Sequence, residues 1–282
     1  MSSAPDYLAI GHVTEDVWRD GHITPGGTAW FSSLAAQRLV PRVAVLTAAA
    51  SNYDAAHTLP GIDAHIVPSP VTTQFENIYT PQGRIQYTRP SPVQLTPAQL
   101  TPDLRRARIM HLAPVCDEVS ATFVSDVDND VFIGVTPQGW LRRWDADGRV
   151  HAKPWAHAEA ILARANAVVI SIDDVAGDWR TDLRWAALAA RVFVVTQSAA
   201  GCMLFLNGKP IHVPAPHVEE VEPTGAGDIF ASSLYIALQR GDDPVDACAF
   251  ANCLAAQSVT RRGLDSLPTR EDIDRCDTIV PM

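Results

Sequence analysis

Short, almost uninterrupted apolar runs recur along the second half of the chain: ARIMHLAP from Ala107, VFIGVTP from Val131, AVVISI from Ala167 and RVFVVTQ from Arg191. Runs of this length and β-branched content suit parallel strands buried on both faces. Between them lie WAHAEAILARA and DLRWAALAA, whose apolar positions repeat at helical spacing. The first half adds strands at YLAIGHV, RVAVLTAA and DAHIVPS and a helix over Thr28–Arg38. Alternating strands and helices predict an α/β fold, a doubly wound and mostly parallel central sheet with helices on both faces. Two segments do not fit such a sheet. TEDVWRDGHITPGG is half polar, and TTQFENIYTPQGRIQYTRP alternates so that Thr73, Phe75, Asn77 and Tyr79 share one face. Its TPQG is a hairpin turn signal. Both are placed in a small β lid, from about 12–24 and 72–89, on a single domain spanning 1–282.

The totals narrow the function. A chain of 282 residues with 47% hydrophobic content holds one sizeable core. A formal charge of −10 argues against a nucleic-acid partner, which wants clustered Lys and Arg. No apolar run is long enough for a bilayer, and MSSAPDYLAIG lacks a basic-then-apolar leader pattern. The five cysteines form no C-x-x-C pair, which with the odd count predicts reduced thiols and a cytoplasmic setting. The nine histidines form no zinc-type cluster.

Chemistry concentrates in EPTGAGDIFASSLYIALQRG, where Thr224, Gly225, Ala226 and Gly227 sit where a loop becomes a helix. A helix mouth offers unpaired N–H groups and a positive dipole end, and glycine lets an anion come close. Asp228 follows in the first turn. It is either a complement to the helix dipole or a base beside a bound anion. No G-x-x-x-x-G-K-[ST] string exists, and Phe230 breaks a G-x-G-x-x-G dinucleotide fingerprint, which counts against an oxidoreductase.

Read together, these stretches resemble the ribokinase-like, phosphofructokinase-B type sugar kinases. EPTGAGDIF is similar to their D-T-x-G-A-G-D-x-F signature, GHVTEDVW to the first strand ending at a sugar-binding aspartate, and PGGTAWFSSLAAQRL to the Gly-Gly helix start. VVTQSAAGCMLF is similar to the nucleotide turn and ANCLAAQSVTRRG to the late helix near the adenine. The resemblance implies Asp228 as catalytic base, with an anion hole from the amides of Gly225, Ala226 and Gly227. It implies acceptor contacts from Asp16, Gly26, Gly27 and Thr28. It implies nucleotide contacts from Thr196, Ser198, Gly201, Thr224 and Asn252, with Gly263 nearby. SIDD stands where the family has N-x-x-E, so Ser171 and Asp174 fall near the water shell of Mg²⁺. Thr28, Ser198 and Asp174 are departures from the family pattern.

The implied reaction is ATP- and Mg²⁺-dependent phosphorylation of a hydroxyl on a small sugar or polyol, with monovalent-cation dependence left open. GVTPQGWLRRWDADGRV is similar to a segment of plant-type myo-inositol kinases in the family, matching Gln138, Arg142 and Asp145. That makes myo-inositol the leading acceptor. A nucleoside acceptor would want an aromatic stack, for which Trp30, Phe31 and Phe75 are candidates, though core packing is their commoner use. A sugar-binding paralogue without activity is the rival from another class. Lids of this family can pair between subunits, so a homodimer is left open.

Overall fold

The computed structural model describes residues 4–80, 83–175, 180 and 183–278. In chain order, β1 (Tyr7–Ile10) leads to β2 (Thr14–Val17), β3 (Ile23–Gly26) and helix α1 (Thr28–Gln37). Then come β4 (Val43–Ala49), the single turn α2 (Ala55–Thr58), β5 (Asp63–Pro68), β6 (Thr73–Thr80), β7 (Gly83–Arg89) and β8 (Ile109–Leu112). The middle holds β9 (Phe132–Val135), β10 (Arg142–Trp144), β11 (Val150–Ala152), α3 (Ala158–Arg164), β12 (Ala167–Ser171) and α4 (Arg184–Ala189). The last part is β13 (Val192–Thr196), β14 (Cys202–Leu206), β15 (Lys209–Val213), α5 (Ala226–Arg240), α6 (Pro244–Ser258) and α7 (Arg270–Asp277).

Nine strands form one sheet in the order β15-β14-β13-β12-β9-β8-β1-β4-β5. The pairings from β13 to β5 are parallel, and β14 and β15 continue the sheet antiparallel. Central strands such as β1 and β9 are apolar at every position because both faces are covered. Tyr7 and Ala9 of β1 enter the core beneath α1, α5, α6 and α7, while Leu8 and Ile10 enter the core beneath α3 and α4. From β1 the chain first moves outward through β4 and β5, then returns to build β8, β9 and β12 on the other side. The loops after β1 and β8 therefore flank a topological switch point, where open α/β sheets form their crevice.

A second, four-stranded sheet, β3-β2-β6-β7, stands at that crevice. The expected TPQG turn includes Pro81 and Gln82, outside the described residues, as does Trp179. The hairpin β10–β11 docks on β7 through a Tyr87–Arg149 bridge, and the Thr88 N–H donates to the Gly148 carbonyl at 2.8 Å.

One expectation fails. Cys253 on α6 and Cys276 on α7 are joined by a disulfide, although they are 23 residues apart. Packing of the two helices makes the pair, which residue spacing alone does not reveal. Cys116, Cys202 and Cys248 are free and buried. The cysteine argument for a reducing compartment therefore falls away. Among the described residues, no helix is long and apolar enough to cross a membrane.

Candidate active site

Helix α5 begins at the crevice because Gly225 adopts φ 83°, a left-handed conformation that favours glycine. A side chain at Gly225 would also strike the Phe31 ring, with a Cβ 2.5 Å from it. Phe31 lies on α1, so the two helix starts are packed together. Ser32 of α1 and Ser232 both donate to the Asp228 carbonyl, at 3.3 and 2.9 Å. Nothing lies within 4 Å of a Cβ built on Gly227, so the mouth of α5 is open there.

The three amides of the expected anion hole differ in their partners. The Ala226 N–H donates to the Pro223 carbonyl at 3.2 Å, because the chain closes a turn before the helix begins. The Gly225 and Gly227 amides have no backbone partner among the described residues. Thr224 is exposed beside them.

Asp228 is half-buried in the cleft, with its pKa pushed up to about 7. Loss of hydration is the main cause, and the Asp174 and Asp16 carboxylates add to it. The Thr28 hydroxyl and the Arg142 guanidinium act the other way. Acceptor-side and donor-side candidates therefore converge on one carboxylate. Asp16 lies on β2, opposite Phe75 of β6 and Thr24 of β3. Gly26 leaves room for it, since a Cβ there would sit 2.8 Å from Asp16 Oδ2. Gly27, at φ 92°, would bring a Cβ within 2.9 Å of the His12 carbonyl.

Gln138 and Arg142, expected on the acceptor, instead meet Asp174, expected near the metal. Gln138 Nε2 donates to Asp174 Oδ1 at 2.9 Å, and an Arg142 nitrogen lies 3.7 Å from the same oxygen. The Arg142 guanidinium also sits 5.8 Å from the Phe75 ring centroid. Beyond this cluster a cavity of about 210 Å³ opens between β7, the β10–β11 hairpin and the 173–174 turn. Asp145 lies on the same hairpin. It is exposed at the hairpin end, paired with Arg143 and His151. Ser171 caps the 172–174 turn by accepting the Asp173 N–H at 3.1 Å.

The expected nucleotide residues are largely used within the fold. The Thr196 hydroxyl donates to the Ile170 carbonyl at 3.4 Å. Ser198 adopts φ 51° in the one-turn helix 198–200, and Gly201, at φ 90°, is pressed against the Val213 carbonyl. Asn252 is buried, and its amide donates to the Val213 carbonyl at 2.9 Å, tying α6 to the end of β15. Gly263 is exposed with open space around it. Trp30, Phe31 and Phe75 are buried in packing, and Trp30 Nε1 donates to the Thr58 carbonyl.

Residue reading missed Glu118. It is buried at the crevice and accepts backbone N–H bonds from His12, Val115 and Cys116. A buried carboxylate in CDEVS carries no motif, so nothing in the sequence marks it.

The fold and the cleft define an α/β protein of the ribokinase-like class. The model of the pfkB carbohydrate kinase family matches residues 177–270, about a third of the chain. It is 24% identical over 188 residues to ribokinase of Bacillus subtilis (strain 168), covering 64% of this chain and 59% of that protein. The chain spans 22 to 61% of the length of curated relatives it matches. The fold is shared with a pyrophosphate-dependent kinase of the ribokinase family complexed with a pyrophosphate analog and myo-inositol. That likeness has a TM-score of 0.79 at 18% identity, over 95% of this chain and 99% of that one. Ribokinase of Arabidopsis thaliana, complexed with ribose and ATP, gives a TM-score of 0.74 at 16% identity over 97% and 98%.

Proposed function

We propose that the protein transfers a phosphoryl group from ATP to a hydroxyl of a small sugar or polyol, with myo-inositol as the leading acceptor. One observation carries this reading. Asp228 stands at an open helix mouth, its carboxyl raised to about 7, within electrostatic reach of Asp16, Asp174 and Arg142. A raised carboxyl is a stronger base than an ordinary one, which suits taking a proton from an attacking hydroxyl as the new bond forms. Asp16 orients the acceptor hydroxyls. The free amides of Gly225 and Gly227 stabilise charge on the transferring group. Arg142 adds a cation within reach of Asp228.

Mg²⁺ fits this chemistry. It keeps several waters and takes few protein oxygens, the rest coming from donor phosphates. Among the described residues no cluster of three metal-ligating groups exists, so Asp174 is the carboxylate that would hold such an ion through water. Bound there, Mg²⁺ would neutralise phosphate charge.

A second reading concerns the donor. The phosphate end of the cleft is open, whereas Gly201 and Asn252 at the expected base end are used within the fold. This supports pyrophosphate as donor in place of ATP, as in the structurally similar myo-inositol-bound kinase. The nucleoside reading loses support, since Trp30, Phe31 and Phe75 are buried in packing.

The test is phosphoryl transfer measured with ATP and with pyrophosphate, each against inositols, hexoses, ribose and nucleosides. Turnover of a polyol supports the reading, and the faster donor decides between the two. Binding of a polyol without turnover by either donor would replace it with a sugar-binding protein.

A further inference from the structure

We propose that Glu118 is a positioning residue of the acceptor site. It stitches together the two switch-point loops and thereby sets the place of Asp16 and the Gly26–Gly27 turn without touching a ligand. The proposal rests on the reading that these residues take the acceptor.

The loop after β1 and the loop after β8 meet side by side. A Cβ on Gly11 would lie 2.1 Å from the Ala113 carbonyl, so the two backbones are in direct contact. Gly11 and Ala113 still donate to strand carbonyls, of Leu46 and Ile10, but the amides of His12, Val115 and Cys116 beyond them do not. Glu118 supplies the acceptors instead. Its Oε1 receives the His12 N–H at 2.9 Å and the Val115 N–H at 3.0 Å, and its Oε2 receives the Cys116 N–H at 2.6 Å. Asp117 makes this possible by adopting φ 61°, which turns the chain back on itself.

From this anchor the contacts lead to the acceptor groups. The His12 carbonyl and the Thr14 backbone are what Gly27 packs against, and Asp16 Oδ2 is what Gly26 leaves room for. His12 Nδ1 lies 2.9 Å from the Thr73 hydroxyl, which fastens the same turn to the base of β6. On the other loop, the Pro114 carbonyl accepts the Gly139 N–H at 2.9 Å, beside Gln138. Val115 and Cys116 pack on Phe75, the ring beneath Arg142. One buried carboxylate thus fixes both the strand that carries Asp16 and the loop that supports Gln138 and Phe75. Among the described residues, no hydrogen bond joins it to the donor-side elements β12 and β13 or to the mouth of α5.

Two measurements on the full chain test this, using Glu118→Gln with Asn166→Ala as control. Asn166 accepts the Ile133 N–H at 2.8 Å at the start of β9, so its loss removes a comparable side-chain acceptor away from the crevice. Glu118→Gln replaces one oxygen with an NH₂ that cannot accept. The first measurement is amide hydrogen exchange without ligand. We expect faster exchange in Glu118→Gln at His12, Val115 and Cys116 and along Thr14–Asp16, with β13 and β14 unchanged. The second is steady-state kinetics with myo-inositol, or with whichever acceptor of the panel turns over. We expect KM for the acceptor to rise roughly ten- to hundredfold, the scale of a small misplacement. KM for the donor should stay near wild type, and Asn166→Ala should change neither KM. A rise in both KM values, an unchanged acceptor KM, or exchange that quickens only at the three bonded amides would each overturn the proposal. If wild type turns over no acceptor, the kinase reading fails, while exchange along Thr14–Asp16 still judges the role of Glu118.

Discussion

Asp228 carries opposite demands. Ionised, it is the base the reaction needs, but ionisation is opposed by lost hydration and by Asp174 and Asp16. Its folded pKa of about 7 lies above the ordinary 3.8. Between those values the folded protein binds more protons than the unfolded chain, so this group's contribution makes stability fall as pH rises through the window. Asp228→Asn should flatten that dependence and raise the melting temperature at pH 8 relative to wild type. Turnover should drop by roughly 10²–10⁴ with acceptor affinity little changed. In wild type, kcat/KM should climb through pH about 7 and level off above it, because only the ionised form accepts the proton. Near-normal turnover of the Asn variant would leave the carboxylate as a mere complement to the helix dipole. Asp16→Ala should act on the acceptor alone. Each lost charge-assisted hydrogen bond costs about 1.5–3 kcal/mol, and calorimetry with acceptor and donor separately would detect equal losses if Asp16 served the fold instead.

The two glycines that flank Ala226 are not equivalent, and the mouth of α5 shows why. Gly225 is left-handed and pressed on Phe31, whereas Gly227 faces open space. Gly225→Ala should destabilise the protein by about 1–2 kcal/mol from backbone strain alone, with more from the Phe31 contact. Gly227→Val should fold with little change in melting temperature and lose donor affinity, since its side chain fills the anion space. Thermal melts and donor titrations of both variants separate the two roles. If Gly227→Val binds donor normally, the helix mouth is not the phosphate site. At this scale the chain is readable in part. Apolar runs reveal the buried strands because burial on both faces leaves few polar positions, and the T-G-A-G-D spacing reveals the helix mouth. What stays hidden depends on elements far apart in sequence: the Gln138–Asp174 bond, the Cys253–Cys276 bridge, and Glu118 serving amides on two loops. The turn in which the Ala226 N–H donates to the Pro223 carbonyl is likewise not marked by residue type.

For the molecule as a whole, a second copy would meet the small sheet at one of its edges. Its two edges differ. The β7 edge is engaged by the β10–β11 hairpin, while β3 is the outermost strand on the other side. Around β3, Ile23 is 53% exposed, and Trp18 is 44% exposed and stacked on His22. Large apolar side chains beside a strand edge favour association. Yet β3 is four residues long and contains Pro25, which has no N–H to give a new strand. Continuous strand addition is therefore limited, and contact between copies must rest on side chains such as Trp18 and Ile23. The expected outcome is a homodimer that dissociates on dilution in the micromolar range, as small interfaces of this kind do. Ile23→Lys should shift the equilibrium to monomer while leaving the fold intact, since the position is exposed. Light scattering across a dilution series measures both. A wild type that stays monomeric at the highest concentration, or an Ile23→Lys variant that dimerises equally well, would show that β3 is a solvent edge and that the small sheet works within one chain.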